Sequence, residues 1–349
     1  MIRSIHAVVR PVEMRDLPKL CHLAEVSGVG LTTLPVNEEL LQQRIATSEK
    51  SLNNKEPNYR QGDYLFVLED LESQQIVGTS GIYSCVGHGL PCYHYRLTTL
   101  AKSCEALGLY KELKALSLSN DYHGASEIGT LFLHPDFRAH KNGHLLSRSR
   151  FLFMAQFPDR FDDTVIAEMR GVSSTGGYSP FWEGLGANFF DLEFKQADYL
   201  TGIGNKQFIS DMVPRHPIYT ELLPESAREV IGQVHQDTAP ALTLLEKEGF
   251  VYKGYVDIFD GGPTVEAQLK YIRSVRKSMA AVFKGYTDQE SGELAIASNC
   301  SLGFRSCVTR MLVEHDQAYL TAEVAEALQV QPGDQLRYIL LDVKKEEES

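Results

Sequence analysis

The sequence predicts a mixed α/β fold in two parts, an α/β core over residues 1–290 and a small β-rich module over residues 291–349. Three observations carry this reading. β-prone apolar runs alternate with helix-period segments through the first part, and one strand there feeds a helix through a basic, Pro-containing loop. After Gly292 the pattern changes to short alternating runs. A chain of 349 residues suits two domains and buries a large core without disulfide or metal staples.

The elements follow in order. Val8-Val9-Arg10 reads as a strand, and Asp16 as the N-cap of a helix with Leu17, Leu20, Leu23 and Ala24 at helical spacing. The glycine-containing connection Ser27–Leu31 leads to a second helix around residues 37–50, and Ser51–Gly62 is a polar loop. Tyr64–Leu68 and Ile76–Ile82 flank an acidic turn and read as a hairpin. Residues 85–123 have little periodicity and read as an insertion. Glu127–Leu133 is a strand, residues 143–157 a helix, and Thr164–Met169 a further strand. In the last part, Leu294–Ala297, Cys307–Val313 and Leu336–Leu341 are strands, with a turn at Pro332-Gly333-Asp334. The charged tail Lys344–Ser349 reads as disordered.

Composition narrows the function. A net charge of −12 argues against nucleic acid and anionic membranes as partners and is compatible with a cationic substrate. No run approaches the ~20 apolar residues of a membrane helix. The N-terminus lacks a secretory pattern, and the six scattered cysteines fit reduced thiols, so the expected location is the cytoplasm.

The most informative segment is Leu131 to Leu146. Leu131 and Leu133 end a strand; Arg138 and Lys141 lie in a basic loop; Asn142 and Gly143 open a helix. Unpaired N–H groups and partial positive charge at a helix N-terminus suit a phosphate, and a glycine lets it approach the backbone. From spacing alone, an ordinary connection with a solvated basic loop accounts for the segment equally well.

This segment resembles the acyl-CoA motif of the GNAT acyltransferase superfamily, with Arg138, Gly143 and Leu146 on the pattern and Lys141 where a glycine is usual. Thr238–Phe250 resembles the closing motif of that superfamily, and Ser179–Gly186 is a rival for the same place. The resemblance implies a GNAT-like mixed central sheet flanked by helices, here enlarged. Along most of its length the chain also resembles the arginine N-succinyltransferase family. The likeness is carried by Gly30–Pro35, Thr130–Leu133, Ala167–Gly171, Tyr178–Trp182, His216–Tyr219, Val230–His235 and Asp257–Thr264. It implies transfer of succinyl from succinyl-CoA to the α-amino group of L-arginine in arginine catabolism, with His235 as general acid and Leu131 as a succinyl-CoA contact.

Acyl transfer from a thioester to an amine needs a free amine, fixed donors for the oxyanion and a proton for the departing thiolate. An unperturbed imidazole, with a pKa of about 6.5, can give or take a proton near neutrality, which suits a histidine to the last of these roles. Leu131, Leu133, Arg138, Lys141, Asn142 and Gly143 are the candidate CoA contacts. Glu168 and Asp260 are candidates for the arginine guanidinium, and Arg170 or Arg96 for the succinyl carboxylate. The Cys85, His88, Cys92, His94 cluster lacks the spacing of a common zinc module, so no metal and no permanently bound cofactor is expected. No Cys or Ser stands in a nucleophile setting, which points to direct transfer in a ternary complex. The alternatives are an acyltransferase for ornithine or another basic amine, and a non-catalytic acyl-CoA-binding subunit. The assembly expected is a homo-oligomer or a heteromer with a paralogous subunit.

Overall fold

Continuous burial along the first strand sets the centre of the molecule. β1 (Ala7–Pro11) places Val8 and Val9 fully buried between two antiparallel neighbours, β2 (Asp63–Asp70) and β13 (Ser306–Glu314). The computed structural model describes residues 5–28, 31–88, 91–174, 176–202, 212–287 and 292–341. Gly30, part of the connection before Gly292 and the tail Lys344–Ser349 lie outside the described residues.

From β2 the sheet continues through β3 (Ile76–Tyr83), β6 (Ser126–Leu133), β7 (Thr164–Glu168), β10 (Pro263–Gln268) and β9 (Val251–Val256). It ends with β4 (His94–Cys104), β5 (Leu109–Ser119) and the short β8 (Ile218–Tyr219). The segment read as an unpatterned insertion is therefore largely a long hairpin, β4 against β5. Its outer half, residues 101–112, is exposed on both faces, so no alternation marks it in sequence. Its base is fixed by Tyr95 and Leu116, which join a cluster with Phe181 and Trp182.

On the other side of β1, strands β11 (Met279–Tyr286), β12 (Glu293–Asn299), β13, β14 (Gln317–Leu320) and β15 (Gln335–Leu340) form a closed ring. The order is β12-β15-β11-β14-β13, and the β12–β13 pairing closes it. β11 precedes the composition change near residue 290 and still pairs within the ring, antiparallel to β15 and parallel to β14. Phe304, between β12 and β13, reaches into the main core, where it meets Phe66 and Phe153 with ring centroids 5.5 and 5.4 Å apart.

α1 (Leu17–Ser27) and α2 (Glu38–Asn53) cover one face of the core sheet, burying Leu20, Leu23, Leu41 and Ile45 against Leu65, Val67 and Ile76. Asp16 does not cap α1. Its carboxylate instead accepts from Arg10 at 2.7 and 2.9 Å and from the Glu13 amide. The opposite face carries α3 (Asn142–Gln156), which is buried almost all round, and beside it the helix Ala239–Glu248, ended by Gly249 at φ 101°. Among the described residues no helix is long and apolar enough to cross a membrane.

The two helices are tied by Glu248, which is 2% exposed. It accepts from Arg148 of α3 at 3.0 Å and from the Ser274 amide at 2.7 Å. Removing one partner strands the other charge in the interior. Glu248→Ala is therefore expected to lower the unfolding free energy by roughly 3–5 kcal/mol in chemical denaturation.

Candidate active site

β6 and β7 run parallel but pair only at Ser126 with Val165 and Glu127 with Ile166. Beyond that point β6 stays with β3 and β7 with β10, so their facing edges separate. A bulge sits at the parting: the β3–β6 register shifts between Thr79 and Gly81, and Thr130 adopts φ 53°. The Thr79 hydroxyl donates to the Thr130 carbonyl at 2.8 Å and holds this geometry. A cavity of about 1460 Å³ is lined by both separated edges. Backbone amides on such an edge can pair with an extended amide-bearing ligand as with another strand.

One end of the cavity is basic. Arg138, His140, Lys141, Asn142 and Gly143 line it, and His140 and Lys141 both take left-handed backbone angles as the chain turns into α3. No side chain caps α3. The Asn142 amide group donates to the Phe137 carbonyl at 3.0 Å, so this side chain fixes the loop. A Cβ on Gly143 would meet only Leu133, at 4.0 Å, so the protein's own packing leaves that space open. Leu131 and Leu133, half-buried, line the cavity together with Leu146, Ala241 and Leu245.

Acids also line the cavity: Glu127, Glu168, Asp257 and Asp260, with Asp63 ion-paired to Arg44 at 3.1 Å. Asp260 is committed to the backbone, accepting the Gly171 amide at 2.7 Å and the Gly262 amide at 2.8 Å. Asp257 accepts the amides of Phe259 and Asp260. Burial, and then repulsion from Glu168, raise its pKa above the ordinary carboxylate value. Buried His94 has Nε2 2.8 Å from Glu168 Oε1, a close ion pair without hydrogen-bond alignment. Burial works against its charge, but Glu168, Asp257 and Glu127 outweigh it and raise its pKa. Among the described residues, Cys92, His94 and Glu168 form the one group with potential ligand atoms all within 4.8 Å of one another; Cys85 and His88 do not join it.

His235 lies just ahead of the helix Ala239–Glu248. Its amide donates to the Arg170 carbonyl at 2.8 Å, its Nδ1 accepts the Asp237 amide at 3.2 Å, and Nε2 is 3.1 Å from the Ser173 carbonyl. Arg170, Asp237 and Thr238 line the cavity, and His235 itself is not on its wall.

The structure thus brings the expected CoA contacts together with Glu168, Asp260 and Arg170 around one cavity. Arg96 is not on its wall: it is exposed, 3.6 Å from Asp121. The helix Ala239–Glu248 lines the cavity through Pro240, Ala241, Leu244 and Leu245, while no residue of Ser179–Gly186 does so. That rival segment instead buries Trp182 against Phe190 and Phe259. Sequence reasoning missed Arg44, Asp63, Glu127 and Asp257. Only Asp257 had a signal, since it opens the block Asp257–Thr264.

Such a fold and cavity suit an acyl-CoA-dependent N-acyltransferase, and the relatives define that class. The arginine N-succinyltransferase beta subunit family matches residues 7–274, and the C-terminal domain of that beta subunit matches residues 277–339. An arginine N-succinyltransferase of Escherichia coli (strain 55989) is 46% identical over 96% of this chain and 97% of its own length. One from Citrobacter koseri is 47% identical over the same shares. The solved structure of arginine/ornithine succinyltransferase subunit AI from Pseudomonas aeruginosa superposes with a TM-score of 0.88 at 36% identity, covering 96% of this chain and 99% of that one. The chain belongs to the arginine N-succinyltransferase family.

Two outcomes follow from this geometry. Gly143→Ala is expected to keep or raise the melting temperature, because the space and a helical backbone are available. The same change raises the KM for succinyl-CoA about 10-fold, the loss of one hydrogen bond to a charged group. The raised His94 pKa means the folded state holds that proton more tightly than the unfolded chain does. The stabilisation is full below about pH 6.5 and is lost as pH rises through the folded-state pKa. Denaturation between pH 6 and 9 should show that loss in the wild type and a flatter profile in His94→Asn.

Proposed function

We propose that this enzyme transfers the succinyl group of succinyl-CoA to the α-amino group of L-arginine. The carrying observation is one cavity that joins a helix N-terminus with basic residues to a cluster of carboxylates, in a chain of this family. The pyrophosphate binds at the α3 N-terminus, beside Arg138, Lys141 and Gly143. The pantetheine arm lies between β6 and β7 along Leu131 and Leu133. Glu168 holds the cationic arginine side chain, and Arg170 takes the α-carboxylate of the amino acid. Asp260 is a positioning residue that fixes Gly171, and with it the Arg170 carbonyl on which the His235 amide hangs.

In the reaction the α-ammonium gives its proton to the carboxylate cluster, where Asp257 has the raised proton affinity. The free amine forms the N–C bond at the thioester carbon and the C–S bond breaks; His235, as imidazolium and turned from the Ser173 carbonyl toward the cavity, gives its proton to the departing thiolate, and the second proton shed by the attacking nitrogen restores it. No covalent enzyme intermediate is needed. The protein works in the cytoplasm, with its six cysteines as free thiols, as a homo-oligomer or with a paralogous subunit.

Thiol release from succinyl-CoA, with arginine, ornithine and lysine as acceptors, tests this. Release with arginine supports the assignment; release with ornithine instead keeps the chemistry and changes the substrate; release with no amine contradicts it. His235→Asn is expected to fold normally and lose roughly 10²–10⁴ in kcat, the usual worth of a general acid. A succinyl thioester of a more acidic thiol should recover much of that loss. Equal loss with both thioesters would remove His235 from the protonation step.

A further inference from the structure

α3 carries a buried cation that the fold itself does not neutralise. Arg150 is 2% exposed and lines the cavity. Its hydrogen bonds go to the carbonyl of Ser147 at 3.2 Å and to the Ser147 hydroxyl at 3.3 Å, both within its own helix. Among the described residues no carboxylate lies within 4.0 Å of its guanidinium, the limit at which the Arg148–Glu248 pair on the same helix is found at 3.0 Å. Burial pushes its pKa down to about 9, so at neutral pH it remains a cation held without a counter-ion.

The other cations of the cavity are otherwise occupied. Arg44 is neutralised by Asp63 and donates to the Thr33 carbonyl and the Thr130 hydroxyl. Arg138 and Lys141 stand at the start of α3. Arg170 is only half-buried and bonds Ser173. Arg150 is seven residues beyond Gly143, about 10 Å along the helix axis at 1.5 Å per residue. Gly143 is nearest Leu133, at the open end of β6, and α3 returns beneath the sheet from there. Gly143, Leu146 and Arg150 follow one helical face and line the same cavity, so the guanidinium stands on the cavity side of α3, about two turns beyond the start of the helix. A buried, dry guanidinium without an anion is a strong receptor for a carboxylate, which it engages through two parallel N–H···O bonds.

We infer that Arg150 is the donor-specificity residue, pairing with the free carboxylate of the succinyl group and so favouring succinyl-CoA over acyl-CoA lacking that charge. The inference rests on the succinyl-transfer reading above and adds the residue that selects the donor. Acetyl-CoA would leave the guanidinium buried and unpaired, which makes the discrimination larger than the gain of one contact.

The test compares succinyl-CoA with acetyl-CoA in the wild type, Arg150→Met and Arg170→Met, with the Kd of CoA measured by calorimetry. Arg150→Met should lower kcat/KM for succinyl-CoA roughly 10- to 100-fold, the worth of a charged hydrogen-bonded contact. It should leave acetyl-CoA turnover unchanged or improved and the Kd of CoA unchanged. Arg170→Met should raise the KM of arginine with either donor and leave the donor ratio alone. An equal fall with both donors, a weaker Kd for CoA, or a donor ratio that follows Arg170 would overturn the assignment. If Arg150→Met does not fold, Arg150→Lys keeps the charge without the planar fork and should shift the donor ratio the same way by less; an unshifted ratio there overturns it. If the wild type transfers no succinyl group at all, the functional reading fails separately. Binding then decides: a Kd weakened for succinyl-CoA but not acetyl-CoA in Arg150→Met supports the receptor, and equal Kd changes refute it.

Discussion

The separation of β6 from β7 after two paired residues is the constraint on which the rest of the site depends. A parallel pair that stayed in register would bury its edge amides and leave no room for a ligand between the strands. Each strand is pulled away by its outer neighbour, β6 by β3 and β7 by five paired positions of β10. The bulge at Thr130 supplies the local break, and the Thr79 hydroxyl bonded to its carbonyl keeps it from relaxing. The opened edges, the start of α3 and the helix Ala239–Glu248 then converge on one cavity.

A second device places chemistry beside the opening. The Arg170–Gly171 backbone passes so close to Asp260–Gly262 that a Cβ on either Gly171 or Gly262 would collide with the facing chain. The Asp260 carboxylate locks the crossing through the amides of Gly171 and Gly262. The Gly171–Val234 bridge and the His235 amide on Arg170 attach a third segment. Three stretches far apart in sequence are thereby held at one corner, with Glu168, Arg170 and His235 among them. The buried arginines of α3 differ in their partners: Arg148 ties the flanking helices through Glu248, while Arg150 bonds only to Ser147 of its own helix.

What sequence made legible was local. Leu131 to Leu146 is strand, turn and helix in continuous order, so the basic helix start, including Gly143, could be read directly. The blocks Ala167–Gly171, Val230–His235 and Asp257–Thr264 were visible as motifs, but their meeting was not, because it depends on close backbone approach. Residues 101–112 escaped because a ribbon wet on both faces has no apolar alternation. Asp16 was misread as a cap because its actual partner, buried Arg10, lies on a neighbouring strand. Arg44, Glu127 and Arg150 gave no signal: a charged residue on a helix or strand looks solvated until the tertiary fold shows what buries it. The ring's closure between β12 and β13 is likewise a pairing no local pattern encodes.

The central claim is that the opening between β6 and β7 is the acyl-CoA site, and a crystal structure with bound CoA tests it most directly. The account predicts pyrophosphate on the amides at the start of α3 beside Gly143, and a pantetheine arm paired with the β6 edge along Leu131 and Leu133. CoA found on another face of the molecule, with this opening unoccupied, would contradict it.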